Sequence, residues 1–100
     1  MNAGEVQDNL VVKAKTEMLK CYANNTEIVK KAELAFNSIV RFGMLGKTNE
    51  TLAKDARQDV ENFVMGVKGQ CPAVLTIMQK VDDDKQMDLT IELIMLILAV

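Results

Sequence analysis

Apolar residues recur along this chain at spacings of three and four through nearly its whole length, the period of a helix with one buried face. In the first stretch Leu10, Val11, Ala14, Met18, Cys21 and Tyr22 form the apolar side, with Lys13, Lys15, Glu17 and Lys20 away from it. That spacing predicts a helix over residues 5–23, and Asn24-Asn25-Thr26 then supplies a stop followed by a cap. A second helix is predicted over 26–42. Ile28, Ala32, Ala35 and Ile39 form its stripe, and Val29, Phe36 and Val40 widen it enough for two neighbours. Gly43 and Gly46 break the pattern and favour a chain reversal.

The third helix, over 49–68, is the most regular. Leu52, Ala56, Val60, Phe63 and Val67 are strictly periodic, Glu50 stands four residues before Lys54 in the favourable ion-pair orientation, and Gly69 is placed to cap the end. A fourth helix starts at Cys71-Pro72, where the missing N–H of proline costs nothing, and carries Val74, Leu75, Ile77, Met78 and Val81. The run Asp82-Asp83-Asp84-Lys85 ends it and offers caps to a fifth helix, from Lys85 to the C-terminus. The spacing of Ile91, Ile94 and Ile97 leaves a strand open for that last segment. The fold class expected is all-α: one domain, residues 1–100, a compact bundle of four to five short helices.

From Leu93 to Val100 no residue is polar. Such a segment must be buried in a core, a partner or lipid. Eight residues are too few to cross a bilayer, which takes about 20. The fifth helix is therefore expected either at the centre of the bundle or at the interface of a homodimer, with Leu89, Leu93, Leu96, Ile97 and Val100 as the interface residues. The homodimer is favoured, because a chain of 100 residues has limited surface with which to surround so apolar a helix. A rival arrangement makes the chain the N-terminal domain of a longer protein, membrane-anchored if the apolar run continued.

Composition narrows the function classes. With no histidine, the chain lacks the commonest general base and the commonest zinc ligand. A net charge of −2 argues against a protein whose main task is to hold phosphate backbones. The nucleic-acid alternative rests on Lys13, Lys15, Lys20, Lys30 and Lys31, should they share a face. Seven methionines suit either core filling or an adaptable groove for a partner helix, with Met18, Met65, Met78, Met87 and Met95 on or near apolar faces and core filling expected. The polar, acidic start of the chain is not a signal peptide, so a cytoplasmic, reducing location with free thiols is expected, a Cys21–Cys71 disulfide being the lesser alternative.

Each motif has a plain structural reading. Gly46-Lys47-Thr48 resembles the end of a phosphate-binding loop, but Arg41 stands where that loop needs glycine and a helix stands where it needs a strand. The acidic run from Asp82 would place Met87 and Leu93 where a calcium loop needs glycine and glutamate, so it reads as a solvated turn. Asn24-Asn25-Thr26 and Asn49-Glu50-Thr51 match the N-glycosylation pattern and read here as helix caps. Cys71, beside a helix start, could have an activated thiol but has no histidine to serve as its base. The carboxylates Asp55 and Asp59 are expected on the wet face of the third helix, and no acid–base role is expected of them. No catalytic, cofactor or metal site is expected. The reading is a non-enzymatic protein-interaction module, an adaptor, assembly factor or inhibitor that self-associates. Its composition is that of small helical accessory proteins, viral ones among them.

Overall fold

The computed structural model describes residues 2–99, apart from the side chain of Asn24. Among these residues there are five α-helices and no strand: α1 (Ala3–Cys21), α2 (Thr26–Leu45), α3 (Glu50–Gln70), α4 (Pro72–Met78) and α5 (Asp83–Ala99), with a 3-10 turn at Tyr22–Asn24. Asparagine starts three of them. Asn2 Oδ1 accepts from the Glu5 N–H at 2.8 Å, Asn25 Oδ1 from Ile28 at 3.2 Å, and Asn49 Oδ1 from Thr51 and Leu52 at 2.9 and 3.1 Å. Each bond satisfies a donor that the first turn of a helix leaves without an internal partner. Pro72 opens α4, and Asp83 and Asp84 lie at the positive end of the α5 dipole.

Several boundaries differ from the sequence pattern. α2 runs through Gly43 and ends only at Gly46, where a Cβ would lie 2.7 Å from Asn49 Cβ. The close turn needs glycine there and not at Gly43, which faces open space. α3 likewise runs past Gly69 to Gln70, and Cys71 takes the cap position. Glycine lowers helix propensity by only about 1 kcal/mol, which the packing of Val67 and Gly66 overrides. α4 stops at Met78, and Val81 is buried in the turn that follows. The segment left open as a strand is helical, and α5 starts at Asp83. Among the described residues the ion pairs are Lys15–Glu92 at 3.7 Å and Lys20–Glu17 at 3.4 Å, and Glu50 and Lys54 do not pair.

α2 and α3 form an antiparallel hairpin. Lys31 lies over Gly66 and Ser38 donates to Asp59, seven residues on in one helix and seven back in the other. At Gly66 a Cβ would meet the Lys31 stem at 3.0 Å, so the absent side chain sets how closely the two helices approach. α4 packs back along α1, with Ala73, Thr76 and Ile77 beside Lys13 and Glu17. The Asp82 N–H then donates to Gln7 Oε1 at 3.0 Å, which anchors the reversal near the start of α1. From there α5 runs parallel to α1, to the Lys15–Glu92 pair and beyond, and packs on α2 as well.

One apolar core joins all five helices. Ala14 and Met18 enter it from α1, Ile28, Ala32 and Ala35 from α2, Val60, Phe63 and Val67 from α3, Val74 and Met78 from α4, and Leu89, Leu93, Ile94 and Ile97 from α5. Phe63 is the largest fully buried side chain. The polar residue in this interior, Thr90, donates its hydroxyl to Gln86 O at 2.8 Å, and no buried side-chain polar atom among the described residues lacks a partner.

The expected free thiols are not present: Cys21, at the end of α1, is joined to Cys71, at the α3–α4 junction, by a disulfide with a Cα–Cα distance of 6.0 Å. Fifty residues separate the two cysteines, so only the fold reveals that they meet. The free thiols expected of a reducing location are joined instead, and Cys71, 3 % exposed, is covalently occupied, which removes the activated-nucleophile reading for this state.

Two stability measurements follow. Phe63→Ala is expected to lower unfolding free energy in urea by about 3–5 kcal/mol, against less than about 0.5 kcal/mol for exposed Lys54→Ala. Reducing the disulfide, or replacing both cysteines with alanine, is expected to cost about 2–4 kcal/mol in the same titration. Equal stability of the oxidised and reduced chains would show that the bond is not structural.

Candidate functional site

The interface residues expected from the sequence sit mostly inside the molecule. Leu89, Leu93 and Ile97 are 2 %, 0 % and 3 % exposed and belong to the chain's own core. Leu96 is half-buried against α1, in a shallow groove of about 330 Å³ with Lys15, Glu92, Met95 and Ala99. Val100 lies outside the described residues. α5 buries one face, Leu89, Thr90, Leu93, Ile94 and Ile97, with α1 and α2 packed on it, and leaves Asp84, Lys85, Asp88, Glu92 and Met95 exposed. What a partner could reach on α5 is a margin, not the Leu-rich stripe.

Exposed apolar side chains are spread over several helices: Val12, Leu34, Met44 and Leu45 are each more than half exposed, and three further methionines join them. Met18 and Met78 fill the core as expected, whereas Met65, Met87 and Met95 are half or more exposed. Each of the three stands two residues from a core side chain: Met65 from Phe63 and Val67, Met87 from Leu89, Met95 from Leu93 and Ile97. Two residues are about 200° around a helix, which turns these methionines away from the core their neighbours enter.

Met65 and Met87 belong to the same feature. α3 and α5 leave an open groove of about 360 Å³ between them, and its lining includes Val60, Val64 and Thr90 with the two methionines. Val60 and Thr90 are nearly fully buried and form the floor, while Met65 and Met87 stand at the margins, 60 % and 50 % exposed. Glu61 is an exposed charge at one edge, and Gln86 is tied down by its Nε2 donating to Val81 O at 3.0 Å. With the Thr90 hydroxyl engaged by Gln86 O, the floor presents little unsatisfied polarity. The arrangement is an apolar trough with two flexible, polarisable walls, able to reshape around an apolar side-chain row.

A groove of about 510 Å³ beside Val6, Leu10 and Val12 on α1 is also apolar, with Asn9 and Lys13 in its lining. The groove between α1 and α5, about 460 Å³, is lined by Asp8, Lys85, Asp88 and Glu92 besides Val11, Val12 and Leu89. The five lysines of the nucleic-acid alternative do not make one patch. Lys13 and Lys15 diverge by about 200° around α1, Lys15 and Lys20 are in ion pairs, and Lys31 lies along Gly66. No group of three or more His, Cys, Asp or Glu side chains among the described residues is placed to hold a metal ion. No helix among them is long and apolar enough to cross a membrane. Compared with family models, with curated proteins and with solved structures, the chain matches none.

Proposed function

We propose that the chain is a non-catalytic protein-interaction module that binds through the trough between α3 and α5, with a second copy of itself as the first partner. The observation that carries this reading is the pair Met65 and Met87, two large apolar side chains left in water on either side of an apolar floor. A lone exposed methionine needs no explanation, but two flanking one groove supply the adaptable walls that partner-helix sites use. Burying the two side chains and the strip between them removes apolar area from water at about 25 cal/mol per Å². That gain is open only to an apolar partner.

A second copy fits for a chemical reason. The trough carries the same apolar character on both of its walls, so two copies related by a two-fold axis can lay methionine against methionine. No polar atom of the floor need then lose a partner, since Thr90 and Gln86 are already bonded within α5 and to the turn before it. An adaptor or assembly role needs nothing more from this face than reversible apolar docking.

The test is the absolute mass in solution by light scattering over a concentration series. The wild-type chain is expected to rise from 11.1 kDa towards twice that mass, and the double variant Met65→Glu, Met87→Glu is expected to remain monomeric and folded by circular dichroism. Both positions are exposed, so the charges cost the monomer little, whereas a carboxylate buried without a partner in an interface costs several kcal/mol. A wild-type chain that stays monomeric to millimolar concentration sinks the self-association. In contrast, Leu93→Asp is expected to unfold the chain at any concentration, because residue 93 has no exposure at all.

A further inference from the structure

The geometry points to Asn49 as an N-glycan acceptor, in a chain that matures in an oxidising secretory compartment. Three observations, two at the α2–α3 turn and one elsewhere in the fold, support this assignment. The first is the triplet Asn49-Glu50-Thr51, which has the acceptor asparagine and the hydroxyl two residues on that the transfer requires. The second is the Cys21–Cys71 disulfide, a bond that persists in compartments where such transfer takes place and is rare where thiols are kept reduced. The third is the surface beside the site. Met44 and Leu45, 78 % and 75 % exposed, are the two most exposed large apolar side chains among the described residues, and both lie at the α2–α3 turn that Asn49 closes. The Asn49 N–H donates to Gly46 O at 2.8 Å, which keeps the asparagine within one turn of Leu45.

The cap and the modification use different atoms of the same side chain. Asn49 Oδ1 accepts from the N–H groups of Thr51 and Leu52, while Nδ2 makes no hydrogen bond to any described residue and the side chain is exposed. Nδ2 is the atom that carries an N-linked sugar. In the transfer, Nδ2 attacks C1 of the first sugar of a polyprenyl-diphosphate-linked oligosaccharide. The N–C1 bond forms, the C1–O bond to the diphosphate breaks, the polyprenyl diphosphate leaves with that electron pair, and one amide proton is released. The product is still an amide whose oxygen can cap α3. A polar glycan there covers Met44 and Leu45, and Val60, eleven residues along α3 and therefore about 16 Å away, stays clear of it. At the other matching triplet, Asn24-Asn25-Thr26, Asn25 caps a helix.

The full chain, expressed behind a cleavable secretory leader in cultured animal cells, provides the test. Peptides from cells and medium together are mapped by mass spectrometry before and after peptide-N-glycosidase F, with a count of free thiols. The expected result is a glycan on the Asn49 peptide in the wild type and in Thr51→Ser, its loss in Thr51→Ala, and no free thiol. Thr51→Ala retains the Asn49 cap, so an unchanged melting temperature separates loss of the acceptor motif from loss of the fold. A bare Asn49 peptide in the wild type overturns the proposal, as does a glycan confined to Asn24. Two free thiols in the recovered chain would overturn the assignment of compartment.

Discussion

The structure depends on covering one helix. α5 carries Leu89, Leu93, Ile94 and Ile97 towards the core, with Ile91, Leu96 and Leu98 half-buried around them, so its apolar arc is far wider than a single neighbour can seal. The hydrophobic effect is non-directional and rewards every side that is covered. The chain therefore sets α1 along one flank of α5 and packs α2 on it, while Val60 and Val64 of α3 line the open groove on the other side. The α2–α3 hairpin and the return of α4 along α1 follow from that demand. They bring long amphipathic faces alongside the apolar side of a helix whose charged residues, Asp84, Lys85, Asp88 and Glu92, stay at the surface.

Close approach is achieved with small residues and secured at the ends of the elements. Ala14, Ala32 and Ala35 are fully buried, and Gly66 lets the Lys31 stem lie across α3. The disulfide fastens the end of α1 to the start of α4, and Gln7 holds the turn before α5 at the other end of α1. α4, only seven residues long, is too short to persist alone, and it is held by a covalent bond before it and a hydrogen-bonded turn after it. These restraints also position the proposed trough, since they decide where α5 begins relative to α3 and hence that Met87 faces Met65.

The chemistry available at the surface is that of contact. The exposed apolar side chains, aliphatics, methionines and Phe36, are spread over several helices, and Lys20 pairs with Glu17 within α1 while Lys15 pairs with Glu92 on α5. Such a surface is suited to binding an apolar face reversibly. The α2–α3 turn is a second surface of the same kind, and its apolar tip lies beside a side chain with a free amide nitrogen. The two surfaces are separated along α3, so one can be shielded while the other stays open.

The helices and most of the core were legible in the sequence. The periodic sets Leu52, Ala56, Val60, Phe63, Val67 and Ile28, Ala32, Ala35, Ile39 are records of local geometry, because side chains three and four apart share a face whatever the rest of the chain does. The caps at Asn25 and Asn49 were legible for the same reason, being bonds within one turn. Met65, Met87 and Met95 were expected to fill the core and are exposed instead. What was not legible depended on distance through space. The sequence could not say that Cys21 meets Cys71, that the Leu89–Leu93–Ile97 stripe is used up within the chain, or that Met65 and Met87 flank one groove. Local periodicity names which side of each helix is apolar. Only the packing of helices against one another, set by the shapes of facing side chains, decides which apolar sides are covered and which are left for a partner.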